Sequence, residues 1–128
     1  MVTQELFPAD ESDDALVDGQ YSGAKAGMRP AYDALARAAR GLGTDVEVMP
    51  RSSQVTFSRK KSFAVVRAAT KDRIDLLLKL PGTAATARLA ANSRAGASDP
   101  SHVVSLRAPK DVDKQLVSWL RAAYERAR

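Results

Sequence analysis

The residues able to do chemistry in this 128-residue chain are mostly cations. Between positions 51 and 79 stand Arg51, Arg59, Lys60, Lys61, Arg67, Lys71, Arg73 and Lys79 against Asp72 and Asp75, a net charge of +6. The run Arg59-Lys60-Lys61 puts three of them side by side. Cations on short strands can meet the phosphates of a nucleic acid, an interaction that is sequence-independent and salt-sensitive. Arg59, Lys60, Lys61, Arg67, Lys71, Arg73 and Lys79 are therefore the candidate nucleic-acid-binding residues. The bland alternative is a solvated basic surface that keeps the protein in solution. Lys79 falls on one strand face with Arg73 and Asp75, so that face either pairs its own charges or offers an anion patch.

Catalytic candidates are few. His102 is the single histidine, and Asp99 lies three residues upstream, where it could orient the ring as a general base. The plainer reading is a half-exposed or backbone-bonded histidine at a strand start. Trp119 and Tyr124 could stack on bases, but a chain with 5% aromatic residues needs both for its core. There is no G-x-x-x-x-G-K-[ST], no G-x-G-x-x-G and no nucleophile elbow. No [DE]-x-K occurs, which removes a common metal-nuclease pattern, and Asp72 with Asp75 alone makes a poor metal site. With no cysteine and one histidine, thiol chemistry and a histidine-rich metal site are excluded. The expectation is a protein that is not an enzyme and uses no cofactor.

The elements that must position these residues follow from periodicity. Tyr21, Ala24, Met28, Tyr32, Leu35, Ala39 and Leu42 recur at spacings of three and four and predict a helix over 18–43. Pro30 either kinks it or starts a second helix; the in-phase stripe favours a kink near Met28–Arg29. From Val46 to Leu80, apolar residues alternate with polar ones, and the connections are too short for parallel crossovers. This predicts an antiparallel meander of three or four strands, with Arg59-Lys60-Lys61 as a projecting hairpin turn. Pro81-Gly82 ends it. Residues 83–100, rich in Ala, Ser and Gly, read as loop, with a short helical turn conceivable around Ala85–Ala91. Val104 and Leu106 give a last strand. Pro109 opens a terminal helix, with Asp111 and Asp113 in its first turn and Val112, Leu116, Trp119, Leu120, Ala123 and Tyr124 as its buried stripe. The fold class is α+β: one antiparallel sheet, helices at both chain ends, packed on one face.

Composition bounds the rest. The length fits one domain. Hydrophobic residues make up 45%, but 23 of the 57 are Ala, so the core is modest and backbones approach closely. Residues 1–18 carry six acids and no Lys or Arg, and the remainder is +11. The reading is a flexible acidic tail over 1–18 and a single α+β domain over 19–128. No apolar run is long enough to span a membrane, and no signal-peptide pattern opens the chain, so a cytoplasmic location is expected.

Two stretches carry a resemblance when taken together. They are V-T-F-S-R-K-K-S-F-A-V-V-R-A-A-T-K-D-R-I-D-L-L-L-K-L from Val55 and H-V-V-S-L-R-A-P-K-D-V-D-K-Q-L-V-S-W-L-R-A-A-Y from His102. With R-P-A-Y-D-A-L at Arg29, they resemble an uncharacterised bacterial domain of unknown function over roughly residues 20–125. More distantly, the order of elements is similar to the MmcQ/YjbR-like domains, although His102-Val103 stands where a Trp is usual. That likeness implies a sheet that binds DNA and names no catalytic residue to carry over.

The function expected is a non-catalytic module with weak, sequence-independent nucleic-acid binding through the basic meander. The alternative is a protein-interaction domain with no nucleic-acid role.

Overall fold

In a computed structural model, which describes residues 9–92 and 99–127, the alternating segment folds as the meander its pattern predicts. Strands β1 (Glu47–Pro50), β2 (Val55–Ser58), β3 (Ser62–Thr70) and β4 (Arg73–Leu78) are consecutive antiparallel neighbours. A two-residue β5 (Ala90–Ala91) and β6 (His102–Leu106) complete the sheet, in the order β1-β2-β3-β4-β6-β5. Every pair is antiparallel.

Register assigns the two faces. Val48↔Phe57↔Ala64↔Leu78 and Val55↔Val66↔Leu76↔Val104 run across one face. Except for half-buried Val48, these positions are buried, and they meet the helices in one cluster. Helix α1 (Ala9–Gln20) comes first, then α2 (Arg29–Arg40), with α3 (Lys114–Arg126) at the other end of the chain. Ala31, Ala36 and Ala39 of α2, Ala64 and Ala68 of β3 and Ala123 of α3 are all buried. Their small side chains let the helices approach the sheet closely, which is the use the alanine-rich composition anticipated. Phe57, Phe63, Leu35, Ile74, Leu76 and Leu120 are fully enclosed; each is worth about 1.5–3 kcal/mol relative to exposure.

The first helical stretch differs from its expected form. It is not one kinked helix. It breaks after Gln20, passes through a 3₁₀ segment at Gly23–Met28, and restarts as α2 with Pro30 in its first turn. Gly23 has φ +58°, a conformation that stops an α-helix, and Pro30 has no N–H to continue one. Tyr21, Met28, Tyr32, Leu35, Ala39 and Leu42 are nonetheless buried, because a 3₁₀ turn also returns a residue to the same side every third position. Within the stretch read as an acidic tail, residues 1–8 lie outside the described residues. Residues 9–18 belong to α1; Val17 is buried, and Asp18 pairs with Arg29 at 2.7 Å.

The terminal helix also starts later than expected. Pro109–Asp111 form a 3₁₀ turn, and α3 begins at Lys114. Asp113 caps it, its carboxylate accepting from Leu116 N–H at 3.0 Å. Asp111 instead accepts from the backbone N–H groups of Arg107 and Ala108. No helical turn forms at Ala85–Ala91; Thr86 and Leu89 close a tight turn and bury Leu89.

Candidate anion-binding site

The Arg59-Lys60-Lys61 hairpin does not project freely. It is docked on the end of α3. The N–H groups of Lys60 and Lys61 both donate to the Ala127 carbonyl, at 3.2 and 3.3 Å. A helix C-terminus leaves its last carbonyls without partners and carries partial negative charge, so a basic hairpin is what such an end accepts. Arg59 is spent on this junction. Its Nε donates to Asp45 Oδ2 at 2.7 Å, its Nη1 lies 3.4 Å from the Tyr124 carbonyl, and its guanidinium lies 4.1 Å from the centroid of the Tyr124 ring. Tyr124 Oη donates to Asp45 Oδ1 at 2.6 Å. The Tyr124 hydroxyl and then the Arg59 guanidinium hold the Asp45 carboxyl below the usual range, and the same pairing raises Tyr124 and Arg59.

The side chains of Lys60 and Lys61 are exposed. Beside them a recess of about 320 Å³ opens between the hairpin, the end of β4 and the last turn of α3. Lys61, Lys79 and Arg126 line it, with Ser62 among them and Phe63 and Pro81 as apolar wall. Lys79 Nζ donates to Ser62 Oγ at 2.9 Å. No carboxylate is among the described residues that line it.

The other candidates lie apart. Nine residues of β3 separate the hairpin from the next turn, a span of about 27 Å at strand rise. Lys71 is exposed in that far turn. Arg73 Nε lies 3.1 Å from Asp75 Oδ1, and Asp75 also accepts from Ser105 Oγ at 3.2 Å. Arg67 is exposed midway along the outer sheet face, opposite Asp75 in register. Of the seven candidates, Lys61 and Lys79 line the recess, Lys60 is exposed next to Lys61 in the hairpin, Arg59 is held in the junction, and Arg67, Lys71 and Arg73 are elsewhere. Arg126 and Ser62 complete the recess, and the sequence does not mark either as a site residue. Arg126 reads there as a dipole-complementing helix end, and nothing in its spacing from Lys61 or Lys79 announces that the three converge.

His102 is buried on the helix-facing side of β6. Its Nδ1 lies 2.7 Å from Ser101 Oγ and its Nε2 3.0 Å from the Thr83 carbonyl. A carbonyl only accepts, so the tautomer that satisfies both bonds carries its proton on Nε2. Ser101 Oγ in turn accepts from Leu80 N–H at 2.8 Å. The ring therefore ties the loop at Thr83 to the sheet, with Ser101 and Thr83 as its partners in the place where sequence spacing suggests Asp99. Trp119 is half-buried, with the Arg88 guanidinium 5.6 Å from its ring centroid. Arg88 also reaches Asp113, Gln115 and the Asp111 carbonyl, binding this loop to the start of α3.

These features define a small α+β domain whose helices cover one face of an antiparallel sheet and whose basic end carries a recess. A model of a domain of unknown function, DUF5655, matches residues 17–127, and the chain belongs to that family. The expected membership of an uncharacterised domain family is thereby borne out. No curated protein and no solved structure gave a significant match. Among the described residues, no helix is long and apolar enough to cross a membrane.

Proposed function

We propose that this protein is a non-catalytic module that binds nucleic acid weakly and without sequence preference, through the basic end of its sheet. One observation carries the reading: Lys61, Lys79 and Arg126 line one recess with no carboxylate among the described residues around it, and Lys60, next to Lys61 in the chain, is exposed. Such a group meets phosphates and reads no base, so its affinity falls steeply with salt.

The test is fluorescence anisotropy of a labelled duplex titrated with protein at several salt concentrations. Binding at low salt is expected, and changing Lys60 and Lys61 together to Glu should weaken it. The slope of log affinity against log salt should become shallower by about 0.9 for each phosphate the variant no longer neutralises. No retention of duplex by the wild type at low salt would end the proposal.

A second reading is supported by the opposite sheet face. Met49, Thr56, Val65 and Val103 stand half-buried there, in cross-strand register through buried Leu77, a largely apolar row on the side away from the helices. A protein partner would meet that row, and its binding would be indifferent to the Lys60 and Lys61 substitutions.

A further inference from the structure

We propose that the recess between the hairpin and the last turn of α3 is a site for a phosphomonoester, the terminal phosphate of a nucleic-acid strand, rather than for an internal phosphodiester. The inference rests on the nucleic-acid reading and adds which phosphate the site selects.

The donor set comes first. Lys61 and Arg126 bring only N–H donors. Lys79 uses one N–H on Ser62 Oγ and keeps two, and Ser62, accepting there, keeps its own O–H to donate. A site whose side-chain polar groups can all donate is complemented by a group that only accepts, which is an oxyanion. The charge then chooses among oxyanions. A phosphomonoester carries about −1.5 to −2 at neutral pH, whereas a phosphodiester carries a single charge. Three cations without a described carboxylate match the former better.

The neighbouring helix would ordinarily oppose an anion here, because α3 presents its C-terminal, negative end. That opposition is relieved. The Ala127 carbonyl already accepts from Lys60 and Lys61, and Arg59 lies against the Tyr124 carbonyl.

Size sets the last condition. A volume of about 320 Å³ is at the small end for ligand sites. It accommodates a phosphate and the sugar attached to it. An internal phosphodiester brings a nucleoside on each side and so needs more room than a terminal phosphate.

The experiment compares one short oligonucleotide with and without a 5′-phosphate, by anisotropy, against wild type, Lys79→Gln and Arg126→Gln, each checked for an unchanged melting curve. Two variants are used because Lys79 also holds Ser62. The phosphorylated strand should bind about tenfold tighter, the gain expected from charge-assisted hydrogen bonds at one added group. Either substitution should shrink that ratio towards one. Equal affinity for both strands would overturn the terminal-phosphate inference and leave the nucleic-acid reading standing. Adenosine 5′-monophosphate and inorganic phosphate, titrated alone and followed by amide chemical shifts, separate the sources. Shifts at Lys61, Ser62 and Arg126 with either, when neither oligonucleotide binds, would keep the phosphomonoester site and refute the nucleic-acid reading. Absence of binding by all four probes would overturn both.

Discussion

Replacing Gly43 by alanine adds one methyl group, and the structure places that group against the junction that holds the hairpin. An alanine Cβ there would overlap the Tyr124 hydroxyl and stand 2.9 Å from Asp45 Oδ1 and 3.0 Å from Tyr124 Cζ. These atoms are not the loose ends of free side chains: Tyr124 is packed edge-on against Phe63 at 5.8 Å, and Asp45 is held by Arg59. Overpacking of this kind costs about 1–3 kcal/mol. In a domain of this size the melting temperature should fall by about 4 °C for each kcal/mol. Gly41 supplies the control. Its added Cβ would meet the Ala38 and Arg37 carbonyls at an ordinary 3.5 Å, with φ −71°, so Gly41→Ala should be neutral or stabilising by up to about 1 kcal/mol. Urea unfolding of both variants gives the comparison. Repeating Gly43→Ala in a Tyr124→Phe background isolates the cause, because the atom that Cβ would overlap is then gone. The two substitutions should be non-additive. An equal cost of Gly43→Ala in both backgrounds would show that the hydroxyl is not what excludes a side chain at position 43.

Two further expectations concern the same architecture. Leu120, fully enclosed, should cost about 2–5 kcal/mol when truncated to alanine, while half-buried Trp119 should cost less than Leu120; the reverse order in urea unfolding would refute the assigned helix orientation. Stability should fall on acidification below about pH 4, since Asp45 and Asp113 are both held under the ordinary carboxylate value near 3.9. Asp45 is lowered by Tyr124 and then Arg59, Asp113 by the Leu116 N–H and then Arg88. A carboxylate lowered in the folded state contributes stability above its unfolded value and loses it as pH falls through the folded one. Asp45→Asn should flatten that part of the melting-temperature profile, and an unaltered profile in Asp45→Asn would count against the junction.

The sheet was legible because its information is local. Ile74, Leu76 and Leu78 alternate with Arg73 and Asp75, and period two fixes both the strand and its buried face. The final strand, His102–Leu106, was legible too, although its place beside β4 was not, since pairing across a long loop leaves no mark in either segment. The helix break after Gln20 was hidden for a different reason: a 3₁₀ turn and an α-turn give nearly the same three-and-four spacing over so few residues. At the basic end, residue type was readable and direction was not. Asp45 is 14 residues from Arg59, and Tyr124 is 65 away, so neither partner could be assigned from spacing. Once Arg59 is drawn into that pair, the charge left for a ligand is not what the Arg59-Lys60-Lys61 run suggests.

That division within the hairpin decides how its role must be probed. Reversing all three charges would place an Arg59→Glu carboxylate beside Asp45 and against the helix C-terminus, where both neighbours repel it. Failure of such a triple variant to bind would then report a loosened junction as readily as a missing phosphate partner. Lys60 and Lys61 differ from Arg59 in the part of the residue that the fold uses. Their backbone N–H groups hold the Ala127 carbonyl, while their side chains are exposed. Substituting those side chains keeps the helix end satisfied and the hairpin in place. A Lys60→Glu, Lys61→Glu double variant therefore changes the field at the recess with the scaffold intact. A melting curve that matches wild type, with duplex affinity weakened and its salt dependence shallower, is the pattern that separates a binding surface from a helix cap.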